Sequence, residues 1–149
     1  KGWPKKVSKK EIHSLVEWLF KEMGLNRFRS PRLDVSIHFR KNFEETTGYW
    51  GWVMWDDDPI RPREFSIEIE PSLSRRDLIE SVIHELVHVK QYAQSRLKDR
   101  GRGYVFERKY YDNVLSITND RYDDQPWEIE AQKTQRRLYR KYENRLRRK

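Results

Sequence analysis

The stretch His84-Glu85-Leu86-Val87-His88 places two histidines four residues apart, with a glutamate directly after the first. On an α-helix, this spacing puts both imidazoles on one face, about one turn apart, where they can share one metal ion. Glu85 lies a little further round the helix and can reach a water molecule on the metal without being a ligand. Zinc would acidify that water and polarise a scissile carbonyl, and the carboxylate would accept the proton. We therefore predict Zn2+ held by His84 and His88, with Glu85 as the catalytic base.

The residues around this motif predict the helix that carries it. Ser74 can cap a first turn that contains Asp77. We expect the helix to continue to about Leu97, before Gly101 and Gly103. Apolar residues recur at helical spacing at Leu78, Ile79, Val82, Ile83 and Leu86. The alternative interpretation is a helix that carries two histidines on a partly wet face by chance.

The first half of the chain predicts one helix and three strands. Ser8 and Glu11 match a capping box, and Gly24 supplies a stop for the first helix. Three later segments have the alternating or aromatic-rich composition of strands. These segments are residues 33–40, 48–55 and 63–70.

The second half predicts a long connection and a last helix. Residues 99–125 are polar and lack a clear period, so we expect an irregular loop. Pro126 suits a first helical turn, and we expect the last helix to begin there. This order predicts a single α+β domain over residues 1–149. Its small, mainly antiparallel three-stranded sheet would pack against an N-terminal helix, the HExxH helix and a C-terminal helix.

The composition limits the kinds of site and the compartment. The chain of 149 residues contains no cysteine, so imidazoles and carboxylates must hold any metal. No apolar run approaches the roughly 20 residues of a membrane span. We therefore expect a soluble, cytoplasmic monomer that makes no membrane contact.

Positive charge is concentrated near the end of the chain. The net charge is +8, and residues 132–149 contain nine Lys or Arg residues and one Glu. A basic segment of this kind indicates a non-specific nucleic-acid contact through the C-terminal helix. The alternative interpretation is a solvated helix face that keeps the protein soluble.

The third metal ligand is expected to be a carboxylate. Catalytic zinc usually has three protein ligands and a water molecule. No histidine follows His88, and His13 and His38 have nothing in their surroundings that marks them as ligands. Glu128 and Glu130 are the main candidates, on opposite flanks of the apolar stripe of the last helix. Weaker candidates in the preceding connection are Glu107, Asp120, Asp123 and Asp124.

Two blocks of sequence carry a resemblance to a known class. HELVH at 84–88, a long interval and WEIEA at 127–131 resemble the gluzincin class of HExxH zinc metallopeptidases. The preceding helix and strands resemble the minimal zincin domain of small bacterial, archaeal and phage metallopeptidases, including SprT-like domains. SprT-like proteins typically use a third histidine, which this chain lacks. The resemblance covers residues 32–138 in layout, and it implies a peptidase with zinc on two histidines and one glutamate.

Two observations favour Glu130 over Glu128 as the third ligand. Ala131 follows Glu130, and a small residue beside a ligand lets helices approach closely. The class resemblance also places its ligand glutamate immediately before an alanine. We therefore predict His84, His88 and Glu130 as the metal ligands. Glu128 would then stabilise the helix start or hydrogen-bond a ligand histidine.

The resemblance also implies how a peptide or protein substrate binds. The strand before the metal helix, residues 63–70, would accept the substrate as an added strand at a sheet edge. Ser66, Glu68 and Glu70 would border the cleft, and the two glutamates would favour basic substrates.

A tyrosine hydroxyl would donate to the developing oxyanion. The candidates are Tyr104, Tyr110, Tyr111 and Tyr122.

Two functions are compatible with these patterns. The first is zinc-dependent hydrolysis of peptide bonds, and the second is nucleic-acid binding by a protein whose zinc site is structural or regulatory. A structural zinc site normally has four protein ligands, often thiolates, and this chain has no thiol. A glutamate inside HExxH also has no role in a purely structural site. We therefore predict a zinc metallopeptidase.

Overall fold

The computed structural model describes residues 6–29, 31–57, 60–112 and 125–148. Within these ranges the chain forms four α-helices and two three-stranded sheets, which confirms the α+β class. The elements are α1 (Lys9–Glu22), β1 (Asp34–Phe39), α2 (Phe43–Thr47), β2 (Gly51–Trp55), β3 (Glu64–Ile69), α3 (Arg75–Ala93), β4 (Leu97–Asp99), β5 (Gly103–Phe106), β6 (Lys109–Asp112) and α4 (Pro126–Arg147). A short 3-10 turn, Leu25–Arg27, follows α1.

The helix starts lie where the capping residues predict them. Ser8 Oγ accepts a hydrogen bond from the N–H of Glu11 at 3.0 Å, and α1 begins at Lys9. Ser74 Oγ accepts from the N–H of Asp77 at 3.1 Å at the start of α3. Each side chain satisfies one of the backbone donors that a helix start leaves without an intrahelical partner. Pro126 opens α4, as expected.

The first sheet has the order β1-β3-β2, so β3 is its central strand. β3 pairs in parallel with β1 and antiparallel with β2. The prediction that residues 63–70 form an edge strand is therefore wrong. Phe65, Ile67 and Ile69 are at most 1% exposed, and the backbone of the strand pairs with β1 on one side and β2 on the other, so no edge is left for a substrate.

The prediction about the glutamates of this strand is also wrong. Glu68 and Glu70 are 5% and 4% exposed and do not border a cleft. Glu68 accepts a hydrogen bond from Trp52 Nε1 at 2.8 Å and forms an ion pair with Arg40. Glu70 accepts from the N–H of Glu44 at 2.8 Å, at the start of α2. The two carboxylates are thus used inside the fold and give no preference for basic substrates.

The second sheet lies in a segment that we expected to be irregular. Leu97 begins β4, which pairs with β5, and β5 pairs with β6, both antiparallel. α3 correspondingly ends at Ala93, short of the predicted end, and Ser95 adopts a left-handed φ of 60°. Gly103 permits the close approach of β5 and β6, because a Cβ there would lie 2.3 Å from the carbonyl oxygen of Tyr111.

The main core lies between the first sheet and the three long helices. α3 contributes buried residues along its whole length, and it packs against both the sheet and α4. α4 runs antiparallel to α3, since Arg76 near the start of α3 lies over the ring of Tyr139, and Gln91 near its end contacts Trp127. This packing places the first turns of α4 beside the HExxH motif. None of the helices in the described ranges is long and apolar enough to cross a membrane.

Candidate metal centre

His84 and His88 lie on the face of α3 that meets α4. Their Nε2 atoms are 3.2 Å apart, and their rings meet edge to face with centroids 4.8 Å apart. His88 is 6% exposed, and His84 retains partial exposure. The i, i+4 spacing therefore brings the two imidazoles together as predicted from the sequence.

Glu128, in the first turn of α4, completes a cluster with the two histidines. Its Oε1 lies 2.9 Å from Nε2 of His84, and its Oε2 lies 3.0 Å from Nε2 of His88. The residue is only 3% exposed. One donor atom from each of the three residues lies within 4.8 Å of the others, an arrangement that could hold a metal ion.

Glu130 does not join this cluster, so the predicted choice between the two glutamates must be corrected. Its Oε2 accepts a hydrogen bond from Arg96 Nη2 at 2.6 Å, and its Oε1 accepts from Gln91 Nε2 at 3.0 Å. Glu128 meets the histidines in the middle of α3, whereas Glu130 meets Gln91 near the end of that helix. Arg96, just after α3, lies on the Glu130 side and forms an ion pair with it.

The charges of the cluster shift the pKa values of its members. Burial disfavours protonation of His88, but hydrogen bonding to Glu128 and the charges of Glu128 and Glu85 raise its pKa to about 9. Burial disfavours ionisation of Glu128, but its contacts with both histidines lower its pKa to about 2. The pKa of His84 is also raised, against its own burial, by Glu128 and Glu85. In all three groups, the attraction between the carboxylate and the imidazoles therefore outweighs the opposing effect of burial.

Glu85 is buried beside the cluster and has the opposite shift to Glu128. Burial raises its pKa above the ordinary carboxylate value, although the charges of the two histidines lower it. Its side chain also approaches strand β2: a Cβ added at Gly51 would lie 3.5 Å from Glu85 Cγ and 3.1 Å from the carbonyl oxygen of Glu68. The tighter of these two contacts is the one with the carbonyl of Glu68, whereas the contact with Glu85 would be ordinary van der Waals packing.

The donor set is compatible with a divalent metal ion such as zinc. Tetrahedral zinc with nitrogen and oxygen ligands at about 2.1 Å separates its donor atoms by about 3.4 Å. The two Nε2 atoms are 3.2 Å apart, close to that value, and the two histidines contact different oxygens of Glu128, at 2.9 and 3.0 Å. Two imidazoles and one carboxylate are also a donor set that zinc accepts. His84, His88 and Glu128 are thus the residues that would hold the metal.

A cavity of about 370 Å³ opens beside the cluster. Glu85, His88 and Glu128 form part of its wall. Most of the remaining lining is aromatic or apolar, from β2 and from the elements around it. These residues are Tyr49, Gly51, Trp52, Val53, Met54, Tyr92, Leu97, Tyr104, Gln125 and Trp127.

The other predicted site residues divide into three groups. Tyr104 lines the cavity, whereas Tyr110 is 53% exposed and Tyr111 packs edge to face on Trp127, with ring centroids 5.3 Å apart. Glu107 is exposed and pairs with Arg96. Asp120, Tyr122, Asp123 and Asp124 lie outside the described residues.

Comparisons with protein-family models, with curated proteins and with solved structures gave no match to this chain. The functional argument therefore depends on the geometry and chemistry of the cluster and its cavity.

Proposed function

We propose that this protein is a zinc-dependent peptidase whose metal is held by His84, His88 and Glu128. The observation that carries this proposal is the convergence of three donor groups beside Glu85, at the wall of an open cavity. A set of three protein ligands leaves a coordination position for water or substrate, which distinguishes catalytic from structural zinc sites. The HExxH spacing supports the same function, because it supplies the base together with two of the ligands.

Glu85 is the general base of the proposed reaction. Bound zinc would supply Lewis acidity to the substrate carbonyl and to a water molecule. Glu85 accepts the proton of the attacking water and donates it to the leaving amine. Its raised pKa suits this role, since a base with a pKa nearer to the working pH can both accept and return a proton.

From the predicted tyrosines in the described ranges, we assign to Tyr104 the donation to the developing oxyanion. It lines the same cavity as Glu85 and His88. Burial and the nearby charges of Asp99 and Glu128 raise the pKa of its phenol, so the hydroxyl keeps its proton near neutral pH. Its ring packs on Trp127, with centroids 5.1 Å apart, which limits its freedom to move. A fixed neutral donor is what oxyanion stabilisation requires.

Strand β2 is the strand best placed to bind an extended peptide. It pairs with β3 on one side, and no second strand pairs with it among the described residues. Backbone hydrogen bonds join Trp50 to Glu70 and Asp56 to Glu64. The backbone N–H and C=O groups of the even-numbered residues of β2 therefore point toward β3. In an antiparallel pair, the alternate residues turn their N–H and C=O groups outward. Gly51 and Val53 would therefore offer free backbone groups to a substrate strand along the cavity.

The cavity lining supports a substrate class. Trp52 and Met54 remain 36% and 42% exposed on β2, and Tyr92 and Trp127 line the same cavity. Such a lining binds large apolar or aromatic side chains by removing their surface from water. We expect the protein to cleave peptides that carry such a side chain next to the scissile bond.

Cleavage of a diverse peptide mixture tests the proposed function. Zinc-loaded protein is incubated with the mixture, and the products are identified by mass spectrometry. We expect cuts beside aromatic or large aliphatic residues that disappear with Glu85→Gln and with a chelator, and return when zinc is restored. Absence of cleavage by the zinc-loaded protein, or equal cleavage by the Glu85→Gln variant, would contradict the proposal.

A second candidate function is contact with nucleic acid through α4. Four cationic residues form an exposed stripe on this helix at i, i+3, i+4 and i+7, and we call it the basic stripe. Its members are Lys133, Arg136, Arg137 and Arg140. None of the four forms an ion pair with an acidic residue in the described ranges, so their charges remain available for phosphates.

Salt-dependent DNA binding tests this second candidate. We expect wild-type protein to bind duplexes of unrelated sequence equally and to lose affinity steeply with salt. A variant with glutamine at all four stripe positions should lose this binding. The matched control replaces four exposed cations elsewhere, Lys10, Lys21, Lys41 and Arg102, and should retain it. If wild-type protein has no measurable affinity at low salt, the stripe is a solvated helix face.

A further inference from the structure

Each histidine of the cluster is hydrogen-bonded to a glutamine on its far side. His84 Nδ1 lies 2.8 Å from Oε1 of Gln135, which comes from α4. His88 Nδ1 lies 2.8 Å from Oε1 of Gln91, one turn further along α3. Gln91 is fully buried, although a glutamine is costly to bury unless its amide is hydrogen-bonded. The two contacts are equivalent in chemistry but come from different helices.

Each glutamine also donates a hydrogen bond to a glutamate, and each glutamate pairs with an arginine. Gln135 Nε2 donates to Glu80 Oε2 at 3.2 Å, and Glu80 pairs with Arg76 at 3.3 Å. Gln91 Nε2 donates to Glu130 Oε1 at 3.0 Å, and Glu130 pairs with Arg96. Each histidine is thus linked through a glutamine and a glutamate to an arginine. We call these the Gln135 relay and the Gln91 relay.

The glutamates determine which way each amide points. An ionised carboxylate only accepts hydrogen bonds, so the NH2 group of each glutamine must face Glu80 or Glu130. Gln91 Nε2 also donates to the backbone carbonyl of Trp127 at 3.1 Å, which is a second group that only accepts. The amide oxygens are therefore directed at the histidines.

An amide oxygen against Nδ1 fixes the tautomer of each imidazole. Oxygen accepts and cannot donate, so Nδ1 must carry the proton. In the neutral ring the lone pair is then on Nε2, the atom that faces Glu128 in both histidines. That is the nitrogen that a shared metal ion needs.

We propose that Gln135 and Gln91 are the positioning residues of this metal centre, each holding one histidine as the Nδ1–H tautomer with Nε2 directed at the metal. The inference depends on the metal centre of the proposed function. It gives Glu80 and Glu130 a role as the groups that orient the two amides. α4 accordingly supplies both a ligand, Glu128, and the amide that orients His84.

Zinc affinity of glutamine variants is the first test. Gln135→Met and Gln91→Met keep side-chain length but remove the acceptor, and loss of such a partner typically weakens metal binding about 10- to 100-fold. We expect that loss by titration against a competing chelator, with one zinc per chain still bound at saturation. Gln94→Met is the matched control, because Gln94 is exposed at the end of α3 and should leave zinc affinity unchanged.

An exchange of the amide and the carboxylate separates hydrogen bonding from packing. Gln135→Glu alone sets one carboxylate against Glu80 and should weaken zinc binding. The double variant Gln135→Glu/Glu80→Gln restores an acceptor toward His84 and a donor behind it, and it should recover zinc affinity relative to the single variant. Absence of recovery would overturn the inference, because the double variant keeps an acceptor toward His84 Nδ1.

Nitrogen chemical shifts of the histidines provide a readout that needs no variant. In zinc-loaded wild-type protein, we expect a proton on Nδ1 and the metal on Nε2 of both His84 and His88. The inference fails alone if wild-type protein binds zinc but carries the proton on Nε2, or if both methionine variants bind zinc as tightly as wild type. If wild-type protein binds no zinc, the proposed metal centre fails and the inference fails with it.

Discussion

Glu128 Oε1 lies 2.9 Å from Nε2 of His84, a residue 44 positions earlier in the chain. The contact joins the first turn of α4 to the middle of α3. α4 therefore does more than cover the core, because its docking brings an acceptor to the two histidines of the HExxH motif. A variant that loosens α4 should weaken metal binding even when α3 remains folded.

Glu85→Gln should keep zinc and lose hydrolysis. The amide has the size of the carboxylate but cannot accept a proton, and loss of a general base typically costs about 10²- to 10⁴-fold in rate. Metal content and cleavage rate should be measured on the same preparation. A variant that cleaves at the wild-type rate would show that Glu85 is not the base.

Tyr104→Phe should reduce kcat with little change in zinc content. Removing one donor to a developing oxyanion typically costs about 10²- to 10³-fold. Tyr110→Phe is the control, because Tyr110 is 53% exposed and is not part of the cavity lining. Equal activities of the two variants would remove Tyr104 from the mechanism.

Stability of the metal-free protein should fall as pH rises from about 6.5 to 9. The pKa of His88 is raised from 6.5 to about 9, so the folded state binds this proton more tightly than the unfolded state. Its contribution to the free energy of unfolding is complete below pH 6.5 and is lost as pH rises through 9. The pKa of Glu128 is lowered from 4.5 to about 2, so its contribution is lost as pH falls below 4.5.

Thermal unfolding in chelator measures this pH dependence. The stability difference between wild type and His88→Gln should be largest between about pH 4.5 and 6.5 and should shrink toward pH 9. His13→Gln, which removes an exposed histidine on α1, is the matched control. A difference between wild type and His88→Gln that grows with pH would contradict the assigned charge state.

The local signals of the sequence predicted several elements correctly. The i, i+4 spacing of His84 and His88 and the hydroxyl caps at Ser8 and Ser74 depend only on residues within one turn, so they can be recognised without tertiary structure. The second sheet gave no such signal. Its strands have three or four residues, too few for a period, and their pairing depends on a close backbone approach at Gly103.

The error at Glu130 arose from contacts between distant parts of the chain. Glu128 and Glu130 flank the same apolar stripe of α4. Only the position of Arg96 shows that Glu130 is the one paired with an arginine. The glutamines were overlooked because a glutamine on a charged helix resembles a surface residue. A signal was nonetheless present: Gln91 follows His88 by three residues, and Gln135 follows Glu128 by seven, so each pair shares a helix face.

Zinc titration of wild type, Glu128→Gln and Glu130→Gln, each after chelator treatment, tests the central claim most directly. We expect wild type to bind one zinc per chain, and His84→Ala or His88→Ala to abolish that binding. Glu128→Gln should weaken zinc affinity at least about 100-fold. Glu130 contacts Gln91 and not the histidines, so Glu130→Gln should weaken zinc affinity about tenfold or less. Absence of stoichiometric zinc in wild type, or a larger loss with Glu130→Gln than with Glu128→Gln, would contradict the account.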